Sequence, residues 1–395
     1  MKNVNFKYSA LWLLLLALVT SCVFDEADPL VENTAPQDPV MVTFKLDVMS
    51  SAATKADNHT WNDNLDNDSE NNYSDVIGTK FENRILPDHL QMYVYNSNGQ
   101  YVAAVQRIAY REVANGDYEF WGILQKKSDV DPINADVVFD PNETYHFVVL
   151  ANCQQSSTLD GSPQPDKLTY TSTFDSSASN FSAIPMWGAV NVKLTMTDSQ
   201  NIGPIQLLRS MAKVEVALSK DLTNYIIKSA TITRSSNTGY AVPNFWNIKS
   251  TTSLSHVEAF RPYVESTIQT GSFFKGSDVQ QVIYLPELSN TTTDYPETGD
   301  IKIELVLNDG SRDIEFKGEK AISLAEYNNG QLALNDDGKA SLYNIVRNHY
   351  YEYTINKVES GKPVELTLTV KPWDVVTESI QFTDEVSVSE GDKMI

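Results

Sequence analysis

Apolar and polar residues alternate with period two through most of the chain, and no stretch sustains a 3.6-residue period. Val42, Phe44, Leu46 and Val48 alternate with Thr43, Lys45 and Asp47, the pattern of a strand with one buried face. Leu90 to Tyr95 and Gln100 to Val105 flank Asn96-Ser97-Asn98-Gly99, which predicts a hairpin. Further strands are predicted at Tyr118 to Leu124, Tyr145 to Ala151, Val190 to Thr197, Tyr225 to Thr233 and Val282 to Leu285. Ala212, Val214, Val216 and Leu218 alternate with Lys213, Glu215 and Ala217, and Ile301 to Leu307 returns through the turn Asn308-Asp309-Gly310 to Ile314 and Phe316. Tyr350 to Val358, Val364 to Val370 and Ile380 to Val388 close the series, and one short helix is expected at Ser255 to Val264. Short strands at this spacing predict an all-β protein of two antiparallel β-sandwiches in tandem with little helix. A break at Thr197 to Leu207 divides 395 residues into units 41–203 and 204–395, each of ordinary domain size.

The N-terminal stretch follows a different pattern. Lys2 and Lys7, the apolar run Ala10 to Val19 and then Thr20-Ser21-Cys22 make a tripartite export signal over 1–21, too short to cross a bilayer as a helix. Cys22 directly follows Val19-Thr20-Ser21, which resembles the lipobox of bacterial lipoproteins and implies acylation of Cys22 and an outer-membrane anchor. Residues 22–40 are an acidic, proline-rich tether, and Asp25 and Glu26 resemble the export tag of surface-exposed lipoproteins. Ser50 to Ser74 has almost no apolar content and reads as a loop. Its acids Asp63, Asp66, Asp68 and Glu70 do not make a calcium loop, because Asn71 and Ile77 stand where Gly and Glu are needed.

Charge and chemistry narrow the function. Thirty basic residues against 52 acidic ones leave a net charge of −22, a field that repels phosphate backbones and argues against nucleic-acid binding. With Cys22 assigned to lipid, Cys153 is left alone in an apolar context and reads as a small buried residue. The five histidines, His59, His89, His146, His256 and His349, form no metal-ligand spacing, and His146 and His349 lie in strands as packed residues. Neither a nucleophile elbow nor a phosphate loop is present, so the chain is read as a non-enzyme that needs no cofactor or metal. Trp61, Trp121, Trp187, Trp246 and Trp373 are dispersed, which fits packing better than a carbohydrate platform.

Several segments together resemble the fimbrillins of type V pili, the FimA-like surface lipoproteins of Bacteroidetes. They are Tyr145 to Asn152, Ile184-Pro185-Met186-Trp187-Gly188, Leu208 to Val216, Tyr284-Leu285-Pro286-Glu287, Val346 to Tyr351 and Val370-Lys371-Pro372-Trp373, in this order behind the lipobox. The resemblance implies two β-sandwich domains of transthyretin-like topology. It further implies a cell-surface fimbrium, other fimbrial subunits as partners and a host or bacterial surface ligand as adhesion target. In that family the anchor and first strand are cut away, commonly after an arginine, and another subunit's C-terminal strand fills the groove. Here the matching site is Lys55, and Arg84, the first arginine of the chain, is the second choice.

The residues support that mechanism on their own terms. Val42, Phe44, Leu46 and Val48, each worth roughly 1.5–3 kcal/mol when fully buried, together approach the stability of a whole domain. Losing such a strand exposes a groove and an unpaired edge that another strand must fill. Within residues 378–390, Ile380, Phe382, Val386 and Val388 alternate with polar residues and form the donor-strand candidate, with Asp384 interrupting the apolar face. Two alternatives stay open: an uncleaved anchor or accessory subunit of a fimbrium, and a surface lipoprotein that binds glycans.

Overall fold

The computed structural model describes residues 39–48, 82–86, 89–114, 117–153, 169–171, 183–236, 238–243, 269–290, 301–329, 331–336, 338–340, 342–359 and 361–372. The signal peptide, Cys22, the tether up to residue 38, Lys55, the acids of the 50–74 loop and the 255–264 helix lie outside the described residues. So do His59, His256, Trp61, Trp246, Trp373 and the tail with Ile380, Phe382, Val386 and Val388.

In chain order the first strands are β1 (Val40–Val48), β2 (Gln91–Tyr95), β3 (Tyr101–Ala114), β4 (Asp117–Gln125), β5 (Thr144–Ala151), β6 (Thr169–Thr171), β7 (Met186–Lys193) and β8 (Ser199–Arg209). All but β6 join in one ring with the order β1-β4-β3-β2-β5-β7-β8: the first sheet holds β1 and β4, the second β2, β5 and β7, and the long β3 and β8 run through both and close the barrel. The closing pair, β1 with β8, is parallel, whereas the other neighbours in the ring are antiparallel. The β2–β3 hairpin turns where its sequence predicts. Asn96 Oδ1 accepts from the amides of Asn98 at 3.0 Å and Gln100 at 2.9 Å, and Gly99 supplies φ +78°. The predicted break at 197–207 is instead β8: its Ile205, Leu207 and Leu208 are fully buried, which makes it a wall of the barrel and carries that wall past residue 204 to Arg209.

The second half comprises β9 (Met211–Leu218), β10 (Ile226–Ser235), β11 (Thr238–Tyr240), β12 (Gln269–Ser272), β13 (Phe274–Ser277), β14 (Gln280–Pro286) and β15 (Lys302–Asn308). It continues with β16 (Asp313–Phe316), a 3-10 turn Gly318–Lys320, β17 (Ile322–Ser323), β18 (Tyr327–Asn328), β19 (Gln331–Leu332), β20 (His349–Lys357) and β21 (Glu365–Pro372). One sheet has the order β13-β14-β9-β20-β21, and the other β12-β10-β15-β16 with β17 on β15. Ala212, Val214 and Val216 of β9, Tyr351, Tyr353 and Ile355 of β20, and Ile303, Leu305 and Leu307 of β15 share the core between them, the arrangement of a sandwich. Here too one pair, β9 with β20, is parallel.

The two halves are stitched together. β6, from the barrel's β5–β7 connection, pairs with β11 of the second half. The barrel's core also continues into Met211, Val282, Tyr284 and Tyr350, on the face of the β14-β9-β20 sheet opposite the sandwich core. Close backbone approach is visible at Gly188 of β7, where a Cβ would meet the carbonyl oxygen of Gln206 at 2.5 Å and Ile205 at 3.0 Å. Gly188→Ala is therefore expected to cost about 1–3 kcal/mol by overpacking, read as a lowered thermal midpoint.

Candidate functional site

The strand singled out by its alternation, β1, is an integral stave of the barrel. Val42, Phe44 and Leu46 are 0–4% exposed, while Lys45 and Asp47 face outward. Phe44 lies opposite Phe120 of β4, and their rings stack at 5.3 Å with 15° between planes. On the other side Leu46 pairs with Ile205 and Val48 with Leu207. Val48 is only partly buried, so three side chains rather than four carry the full burial, roughly 5–9 kcal/mol together. Withdrawing β1 would strip hydrogen-bond partners from both β4 and β8 and lay open the apolar interior.

The next described residues, 82–86, are held by polar contacts. Arg209, fully buried at the end of β8, donates from Nε to the Glu82 carbonyl at 3.0 Å and from Nη2 to Asn83 Oδ1 at 2.5 Å. Asn152 accepts from the Leu86 amide at 2.8 Å and donates to the Arg84 carbonyl at 2.7 Å. Ile85 is fully buried in the barrel core. The Glu82 carboxylate meets Lys213 Nζ at 2.8 Å and Tyr284 OH at 2.9 Å. Arg84 thus sits between Asn83 and Ile85, both buried.

The polar side of β9 belongs to the same junction. Lys213 and Glu215, which the alternation puts on one face, are each 1% exposed. Tyr284 and Tyr350 flank Lys213 on the neighbouring strands, and Tyr350 OH donates to Glu215 Oε2 at 2.5 Å. Burial pushes the Glu215 carboxyl above the ordinary carboxylate range, with Lys213 and the Tyr350 hydrogen bond opposing it. A second buried ion pair lies on the same side. Arg347 Nη2 meets Glu287 Oε2 at 2.7 Å, and the guanidinium also donates to the carbonyls of Ala241 at 2.9 Å and Tyr240 at 3.0 Å. Ser210 Oγ donates to Ala241 as well, at 2.9 Å. The sequence carries a signal for these residues: Arg209, Lys213 and Arg347 are cations inside otherwise apolar stretches, which lone surface charges seldom are.

The remaining candidates are structural. His146 is buried with Nδ1 at 2.6 Å from Asn191 Oδ1, and His349 Nδ1 lies 2.9 Å from the Arg347 carbonyl. Cys153 is buried, and desolvation pushes its thiol up to about 12. Trp187 is fully buried and Trp121 half-buried beneath the Arg111 guanidinium, 6.0 Å from the ring centre. Among the described residues no three His, Cys, Asp or Glu are placed to share a metal ion. A polar surface cleft of about 320 Å³ is lined by Gln106, Arg107, Pro132, Ile133 and Asn134.

The first strand thus closes the barrel, and the Glu82–Lys213 ion pair joins the 82–86 segment to the second half. The family model of fimbrillin-A associated anchor proteins, Mfa1 and Mfa2, matches residues 87–379. The chain belongs to this family of fimbrial, cell-surface proteins. Among solved structures it is similar to the tip fimbrial protein Mfa3 of Porphyromonas gingivalis, at 14% identity and a TM-score of 0.45 over 85% of this chain and 99% of that one. It is also similar to a fimbrial assembly protein of Parabacteroides distasonis, at 12% identity and a TM-score of 0.44 over 84% and 95% of the two chains. No curated protein matches.

Proposed function

We propose that this chain is a fimbrial subunit exported as a lipoprotein on Cys22, in which β1 fills the groove used for strand exchange. The observation that carries the reading is that β1 is buried on one face and paired along both edges. A chain cut after Lys55 keeps 82–86 anchored and loses β1, and the donor to fill the gap is the alternation Ile380, Phe382, Val386, Val388 of a second copy. Polymerisation by this exchange serves adhesion to a host or bacterial surface ligand, and the two tandem units are the rod segments. The mature protein resides in the fimbrium, and its precursor in the outer membrane.

A second reading is favoured by the family itself, described as anchor proteins. In it the bond after Lys55 stays intact, β1 stays in place, and the lipid on Cys22 holds the base of a fimbrium to the membrane. N-terminal sequencing of protein recovered from cell-surface material separates the two. A chain beginning at Ala56 that runs as SDS-resistant ladders is the expected result. A chain that always begins at acylated Cys22 and stays monomeric overturns polymerisation and leaves the anchor.

A further inference from the structure

The junction behind β9 holds an arrangement that the fimbrial role does not use. Lys213 Nζ lies 2.8 Å from Glu82 Oε1, with the two side chains 1% and 5% exposed. The Tyr350 ring faces the Lys213 nitrogen at 4.7 Å, and Tyr284 OH donates to the same Glu82 oxygen at 2.9 Å. A second carboxyl, Glu215, stands two residues along the same face of β9 and is tied to Tyr350 by a 2.5 Å hydrogen bond. Met211, Val282, Tyr284 and Tyr350 close the site from water as part of the barrel's core.

These groups make an amine and a carboxyl poised for condensation rather than for titration. An ion pair without water gains from passing its proton across, because two neutral partners escape the desolvation penalty of two charges. Proton transfer from Nζ to Glu82 yields a neutral amine, a nucleophile, beside a protonated carboxyl, an acyl group. Their fixed contact supplies the proximity that an amide condensation lacks in solution. The geometry points to an isopeptide bond between Lys213 Nζ and Glu82 Cδ, formed by the folded chain itself.

The step balances without a co-reactant. The Nζ–Cδ bond forms while Tyr284 OH donates to the oxygen that gains charge. The bond from Cδ to the hydroxyl oxygen then breaks. Glu215 serves as the proton carrier of the step in its protonated form: it gives its proton to the departing hydroxyl and takes one from the nitrogen, so one water leaves and Glu215 ends as it began. Tyr350 orients Glu215 through its hydroxyl and covers the amine with its ring. The product is a covalent tie from the 82–86 segment, the first described residues after β1, to β9 of the second half. Tension on the N-terminal side of the barrel would then pass into the sandwich through an amide.

Mass spectrometry of the chain purified from cells tests this. Whatever its processed N-terminus, the protein is expected to be lighter by one water than the mass of the residues and lipid it carries. After trypsin, the peptide Phe81-Glu82-Asn83-Arg84 should appear joined to the peptide from Ser210 to Lys220, uncut at Lys213. Glu82→Gln should reach the same final mass as the natural chain, because it loses ammonia where the natural chain loses water. Lys213→Arg should keep its full sequence mass, and so should Glu215→Gln with an unchanged circular dichroism spectrum. A folded natural chain at full sequence mass, cleaved by trypsin at Lys213, overturns the bond and leaves an ion pair only. A crosslink that forms undiminished in Glu215→Gln overturns the role given to Glu215.

Discussion

Phe44→Ala is expected to lower the unfolding free energy by about 3–5 kcal/mol, the range for a buried phenylalanine whose cavity cannot collapse. Collapse is hindered because Phe44 stacks on Phe120 and its strand is held on both edges, to β4 and to β8. Urea denaturation followed by tryptophan fluorescence measures it, since the fully buried Trp187 lies in the same barrel core. Asp47→Ala, on the outward face of the same strand, should change the midpoint little. Similar losses for both variants would mean that β1 contributes pairing alone and that its side chains do not hold the barrel shut.

Arg347→Met is expected to cost about 3–5 kcal/mol for a different reason, the stranding of a buried charge. Arg347 is 0% and Glu287 2% exposed, so removing the guanidinium leaves a carboxylate in a dry site. It also removes the donors to Ala241 and Tyr240, which tie β11 and the turn after it to the sandwich. The double variant Arg347→Met with Glu287→Met should recover part of the loss, because no lone charge then remains. A double-mutant cycle reads the difference. A double variant as unstable as the sum of the singles would place the stability in packing and not in the ion pair.

How far the sequence could be read follows from what each residue must satisfy. Strand positions were legible where the alternation is clean: Val42, Phe44 and Leu46, and Ile303, Leu305 and Leu307, return as buried faces, with the residues between them partly or fully exposed. The Asn308-Asp309-Gly310 turn was legible because Gly310 takes φ +86°. The closed ring was not legible, since closure is a property of β1 meeting β8 in parallel and no local pattern encodes a partner as distant in the chain as Ser199 is from Met41. The polar face of β9 was readable as a face but not as an interior one. Lys213 and Glu215 look like a solvated stripe until residues 82–86 and the barrel core are laid over them. Arg84 shows the reverse: as sequence it is a basic residue in a polar stretch, while in the fold its carbonyl accepts from Asn152 and its neighbours Asn83 and Ile85 are buried.

β1 runs antiparallel to β4 and parallel to β8. A slot with edges of opposite sense distinguishes head from tail in whatever lies in it, because reversing the occupant would exchange both hydrogen-bond patterns at once. A slip by one residue would turn its apolar side outward. Any chain of subunits joined through this slot therefore has a front and a back, lacks two-fold axes across its length, and can lengthen differently at its two ends.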